Sequence, residues 1–204
     1  MVALTLGSPE AIMRFRVVRA LLVALAVGAL VGVVVAGGGA RLAMRLIALA
    51  DDREDFGQIT SSEAVVGEIT FGGTVFVLLT GMALGIFGAF MYLSLRAWMP
   101  SRRGYRSMSF VLIVVGFGLS LTIDGNQGDF VFLNTGLSIV SFAVVLMLYA
   151  LIVPPLIDRL APPTTRPTLW GHGVVICVLA LSLFAGALAV EHAFEYADGS
   201  RVPG

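Results

Sequence analysis

The hydrophobic positions of this chain fall into five long runs, separated by short segments that carry almost all of the charged residues. The runs without Asp, Glu, Lys or Arg cover residues 20–40, 69–95, 107–123, 130–157 and 167–190. Because roughly 20 apolar helical residues cross a bilayer core about 30 Å thick, each run is long enough to span a membrane. Allowing for the helix ends, the pattern predicts spans over 17–40, 69–95, 107–123, 130–157 and 168–191.

Helices are the secondary structure that these runs predict. A span must satisfy its backbone hydrogen bonds internally, and no run shows the polar–apolar alternation of a transmembrane β-strand. Only 13% of the residues are charged and 58% are hydrophobic, whereas soluble domains carry about 25% charged residues. We therefore predict an all-α membrane protein, a bundle of five transmembrane helices that forms one domain over residues 1–204.

Arginines give the predicted bundle a direction. All the basic residues are arginines, and nine of the 13 lie on one side of the spans, namely Arg14, Arg16, Arg19, Arg96, Arg102, Arg103, Arg106, Arg159 and Arg166. The acids other than Glu10 and Asp158 lie on the opposite side. The positive-inside rule then predicts a cytoplasmic N-terminus and an external C-terminus in a bacterial plasma membrane. The first run exceeds a signal-peptide core in length, so we expect it to be retained as an anchor.

Two arginines, Arg41 and Arg45, follow the first span on the side that the topology rule disfavours. Their spacing places them on one helix face, and the cost of an arginine near hydrocarbon requires an offsetting interaction. Three interpretations stay open: solvated interfacial residues, ion pairs with acids at the outer ends of other spans, or a ligand or lipid-headgroup site. The candidate acids are Glu191, Asp124 and Asp129.

Glu191 and His192 join Arg41 and Arg45 as candidate ligand or lipid-headgroup residues. Glu191, His192 and Glu195 weakly resemble a metal-binding or pH-sensing group. Interfacial hydrogen bonding explains the histidine equally well, so we predict no metal site. The sequence holds no nucleophile elbow, zinc-protease or paired-cysteine motif. We therefore expect neither an enzyme nor a cofactor. A net charge of zero gives no reason to expect nucleic-acid binding.

Glycines recur at a spacing of four within the first two spans, at Gly28 and Gly32 and at Gly81 and Gly85, with Gly88 one turn further. Small residues at this spacing let two membrane helices approach closely, so we predict helix packing at all five positions. In the fourth span, the Pro154–Pro155 pair is expected to kink or end the helix.

Three short patterns resemble those of uncharacterised actinobacterial and related bacterial integral membrane proteins. They are Gly-Gly-x-x-Arg-Leu-x-Met-Arg-Leu-x-Ala after span one, Thr70-Phe71-Gly72-Gly73-Thr74, and Gly85-x-x-Gly88-x-x-x-Tyr92-x-x-x-Arg96. Those proteins have no assigned activity, so the resemblance implies the topology and singles out Arg41 and Arg45 without naming a ligand.

A structural or accessory envelope component is the function that these patterns favour, because no ionisable side chain lies in the span cores. The alternative is a small-solute or lipid-handling transporter with an outer-face site at the end of span one. A polar cavity at mid-membrane would favour transport, and a tightly packed bundle would favour the accessory role. The expected partners are the lipid bilayer and either a membrane protein or a second copy of the chain.

Overall fold

The computed structural model describes residues 9–50, 70–125, 134–163 and 169–197, and this part of the chain is entirely helical apart from short turns. Its elements are α1 (Pro9–Val31), a π-helical segment (Gly32–Gly37), α2 (Gly38–Ala50), α3 (Phe71–Leu95), α4 (Arg103–Asp124), α5 (Thr135–Leu160) and α6 (Leu169–Ala197). Five helices in these residues are long and apolar enough to cross a membrane, with Glu10–Ala50 counted as one. For these residues the predicted all-helical class is confirmed, with five helices that could span a membrane.

The helix that contains the first span is much longer than the predicted 17–40, because α1, the π-helical segment and α2 form one helix that the three glycines at 37–39 do not break. The predicted bounds came from the charged residues that flank each apolar run, and these mark where the hydrocarbon core ends. A helix can continue beyond that point, because it ends only where its backbone hydrogen bonds end. Gly37 packs on α3, where a β-carbon would lie 2.9 Å from the Leu78 Cα, and Gly39 packs on Val145 of α5. These contacts hold the glycines in helical conformation.

In α5, the proline pair does not end the helix, which continues from Pro154 and Pro155 to Leu160. Membrane helices tolerate proline where neighbouring helices compensate for the lost hydrogen bonds. Here the turn after the prolines is anchored by packing, since Ile157 and Asp158 are both buried. The continuation matters because it carries Asp158 into the interior of the bundle.

Helix α1 packs on α3 and α5, α5 packs on α4, and α4 packs on α6, while α3 also contacts α5, so that α6 lies at an edge of the bundle. The π-helical segment and α2 extend the contacts of α1 with α3 and α5. The largest buried side chains of the main core lie towards the end of the bundle where α3 and α5 finish and α4 begins, and include Tyr92, Met99, Phe110, Val153 and Ile157. A smaller cluster joins α4 to α6 at the opposite end.

Candidate functional site

Arg41 lies at the start of α2, with its guanidinium group against the beginning of α3. A β-carbon built on Gly73 would lie 2.6 Å from Arg41 Nη2 and 2.8 Å from Thr70 Oγ1. Thr70 is the N-cap of α3, and its hydroxyl accepts a hydrogen bond from the Gly73 amide at 3.2 Å. A side chain at position 73 would displace the Arg41 guanidinium group, so the glycine leaves it room to lie there.

The electrostatics of this contact are unfavourable as they stand. The Nε and Nη2 atoms of Arg41 are buried, and neither has a hydrogen-bond partner among the residues that the structure describes. They face the N-terminus of α3, which carries a partial positive charge from its unsatisfied amides. A buried donor without an acceptor costs about 1–3 kcal/mol, and more when it is charged. An anion at this position would satisfy both the guanidinium and the helix end.

The other predicted site residues lie elsewhere. Arg45 follows one turn after Arg41 in α2 and is exposed, while Glu191 and His192 lie near the end of α6, exposed and half-buried respectively. Helix α2 packs on α5 and α3, whereas α6 packs chiefly on α4. In the described part of the chain, Arg41 forms no ion pair with Glu191 or Asp124, and Asp129 lies outside that part.

The glycine pairs in the first two spans lie at one helix crossing. A β-carbon on Gly28 would lie 2.7 Å from the Gly85 carbonyl oxygen, and one on Gly32 would lie 2.5 Å from that of Gly81. Contacts this short would force the helices apart, so glycine is required on both sides. The crossing of α1 and the π-helical segment over α3 is therefore a direct backbone contact.

Gly88, the fifth glycine, packs against Tyr149 of α5 rather than against α1. A β-carbon at Gly88 would lie 2.7 Å from the Tyr149 hydroxyl oxygen, and that hydroxyl donates a buried hydrogen bond to the Gly85 carbonyl oxygen. A polar group in hydrocarbon needs such a partner. The glycines of α3 thus pack against two neighbouring helices, against α1 on one face and against Tyr149 of α5 on another.

A buried ionic cluster lies at the arginine-rich end of the bundle, where α3 ends, α4 begins and α5 ends. The Arg106 Nη1 donates to Asp158 Oδ2 at 2.9 Å, and Arg96 Nη1 lies 3.6 Å from Asp158 Oδ1. The three side chains are only 8–10% exposed. Arg96 also donates to the Ala161 carbonyl oxygen at 2.6 Å, and Arg106 to that of Pro100 at 3.2 Å. The cluster therefore ties three spans and two turns together.

The cluster is not fully satisfied. Asp158 Oδ1 and the Tyr92 hydroxyl are buried, and within the described part of the chain neither has a hydrogen-bond partner. Burial lowers the pKa of the Arg96 guanidinium, while the Asp158 carboxylate acts in the opposite direction. Two cations face one carboxylate, so the cluster as a whole carries a positive charge.

Sequence reasoning assigned Arg96 and Arg106 only a topological role and did not find this cluster. One signal was present, since Asp158 is one of two acids among nine arginines on that side. The four-residue spacing of Tyr92 and Arg96 also places them on one face of the same helix. The pairing itself could not be predicted, because it joins residues 52 positions apart.

An apolar cavity of about 350 Å³ opens on the face of α1 near the same arginine-rich end. Its walls come from one face of α1 between Phe15 and Val27 and from Leu160 at the end of α5. Arg19 is the one charged residue in the lining, and it contributes aliphatic carbon rather than its guanidinium group. Within the described residues, no group of three His, Cys, Asp or Glu side chains is arranged to hold a metal ion.

Comparison with protein-family models, with curated proteins and with solved structures gives no match to this chain. The resemblance to bacterial integral membrane proteins stays a prediction. What the fold of the described residues defines is the class: it is all-helical, with five helices suited to cross a membrane.

Proposed function

We propose that this chain is a multi-pass protein of the bacterial plasma membrane, with its N-terminus in the cytoplasm and its C-terminus outside, and that it serves as a structural or accessory component of the cell envelope. The arginine distribution supports the direction. Arg41 follows Arg19 by 22 residues, a rise of about 33 Å. This matches a hydrocarbon core of about 30 Å, so the two arginines mark its two boundaries.

The α1–α3 crossing is the observation that carries the accessory role. Backbone contact at Gly28, Gly32, Gly81 and Gly85 leaves no space for a solute between the first two spans. The central parts of all five spans also lack Asp, Glu, Lys and Arg, which are the usual residues of proton and ion pathways. Both features favour a static bundle over a gated one.

An accessory protein needs a surface for its partner, and α6 offers one at the edge of the bundle. Helix α6 packs chiefly on α4, and Leu181 and Phe184 on its outer face are 68% and 64% exposed. A photo-crosslinking amino acid at Leu181 is expected to give one discrete protein adduct in growing cells. The matched position is Leu30, equally exposed at 67% on α1, where only lipid adducts are expected.

A flux assay supplies the opposing test. Proteoliposomes that contain the purified protein are loaded with a panel of small neutral solutes, and their release is compared with that from protein-free liposomes. We expect equal release. Selective release of any solute, together with the absence of a protein adduct at Leu181, would contradict the accessory role.

A lipid-handling function is the second candidate, and the observation that favours it is the Arg41 guanidinium beside the N-terminus of α3, whose buried Nε and Nη2 have no partner among the described residues. An anionic headgroup is a ligand of suitable charge for that position. The test is dithionite quenching of fluorescent phosphatidylglycerol in proteoliposomes. If the protein moves lipid between leaflets, Arg41→Gln abolishes the extra quenching and Arg45→Gln retains it; quenching equal to that of empty liposomes rejects this function.

A further inference from the structure

The apolar cavity on α1 combines two features that point to one kind of occupant. Its lining from Leu22 to Val27 lies on the membrane-embedded part of the helix, where water has no polar group to bind, and its walls are apolar throughout. If the cavity were empty, the atoms of its walls would lack van der Waals contacts on that side. Hydrocarbon is the material that both surrounds the protein and matches these walls.

Two arginines, Arg19 and Arg159, lie in or next to the lining at one end of the cavity. The aliphatic stem of Arg19 forms part of the wall, and long basic side chains of this kind extend their charged ends towards the interface. The exposed Arg159 directly precedes Leu160, which lines the cavity. Asp158, the nearest acid in sequence, is buried against Arg106 and does not offset this charge. With Arg19 in the lining and Arg159 next to a lining residue in sequence, basic residues surround this end of the cavity, which we call its cationic rim.

We infer that this cavity is a binding site for an anionic phospholipid, with an acyl chain along α1 and the phosphate near Arg19 and Arg159. Basic pockets between membrane helices bind such headgroups on the cytoplasmic side. A second copy of the chain fits less well, because it would bring its own arginine-rich end against the same cationic rim. The inference is independent of the proposed accessory role.

Native mass spectrometry of the full chain in mild detergent tests the site. The protein is exchanged into phosphatidylglycerol or phosphatidylcholine of identical acyl chains, and the lipid retained per chain is measured. We expect a preference for phosphatidylglycerol. Arg19→Gln should reduce that preference about fivefold, which corresponds to the roughly 1 kcal/mol that one arginine contributes near an anionic surface. Ala26→Trp, which fills the cavity, should abolish retention of both lipids.

Two matched control variants test whether the changes act at this cavity or through a general loss of charge or gain of bulk on α1. Arg14→Gln removes the same charge from α1, but five residues away and about 140° around the helix. Leu30→Trp adds the same bulk to an exposed position of α1 outside the cavity lining. Both should bind lipid as the wild type does. Equal losses in Arg14→Gln and Arg19→Gln, or undiminished retention in Ala26→Trp, would overturn the proposal.

Discussion

Replacement of Asp158 by alanine removes the carboxylate that faces two buried guanidinium groups, those of Arg96 and Arg106. Both arginines keep one backbone carbonyl partner, at Ala161 and Pro100 respectively, but neither keeps a counter-charge among the described residues. Removing one member of a buried ion pair costs about 3–5 kcal/mol, chiefly because the other charge stays buried. Here the cluster lies near the ends of the spans, where long side chains can turn towards water. We therefore expect the lower figure, about 3 kcal/mol.

Thermal unfolding in detergent, followed by circular dichroism, measures the effect. For a chain of this length, 1 kcal/mol shifts the Tm by about 2–4 °C, so Asp158→Ala should unfold roughly 6–12 °C below the wild type. The control is Asp124→Ala at the opposite end, where the carboxylate is exposed and accepts a hydrogen bond from Ser120 at 3.1 Å. Such a surface change is worth about 0.5 kcal/mol or less.

A further variant separates charge from shape. Replacing the three charged residues together, Arg96 and Arg106 by methionine and Asp158 by leucine, removes the buried charges without leaving one alone. Exchange of a buried ionic cluster for apolar residues of similar volume is often neutral or stabilising, so we expect most of the lost stability to return. An Asp158→Ala protein that unfolds within about 2 °C of the wild type would refute the reasoning.

Two further predictions concern the interior of the bundle. Gly85→Val places the added side chain against the backbone of α1 at the crossing and should lower the free energy of unfolding by about 1–3 kcal/mol. In the control, Gly104→Ala, the added carbon meets open space and the Tm should stay unchanged. Equal Tm values for the two variants would disprove the close crossing. Tyr149→Phe removes the buried hydrogen bond to the Gly85 carbonyl oxygen and should lower the free energy of unfolding by about 0.6 kcal/mol. The expected Tm is lower by roughly 1–2 °C. A rise in Tm would show that this hydrogen bond does not stabilise the bundle.

The spans were predictable because their signal is local. A run of about 20 residues without a charge is apolar whatever it packs against, so five runs gave five helices. Helix ends were less predictable. Pro154 and Pro155 suggested a kink or an end, but α5 continues to Leu160, and Ile157 and Asp158 are buried after the prolines. The π-helical segment also has no sequence signature beyond the glycine at each of its ends.

The candidate site was predictable only in part. Arg41 was singled out because a charge near hydrocarbon needs an explanation, but its position over Gly73 depends on how α2 meets α3. Glu191, one of its three suggested partners, lies on α6, which packs chiefly on α4. The Asp158 cluster depends entirely on contacts between distant parts of the chain, so its individual residues carried no signal of the pairing.

The direction of the five spans supports the proposed location, the proposed function and the lipid site, and a C-terminal reporter tests it directly. Alkaline phosphatase, which becomes active only outside the cytoplasm, is fused after Gly204, and a second fusion is made at Ser101, between α3 and α4. The account predicts an active enzyme at Gly204 and an inactive one at Ser101. An inactive, stably expressed fusion at Gly204 with an active one at Ser101 would contradict it.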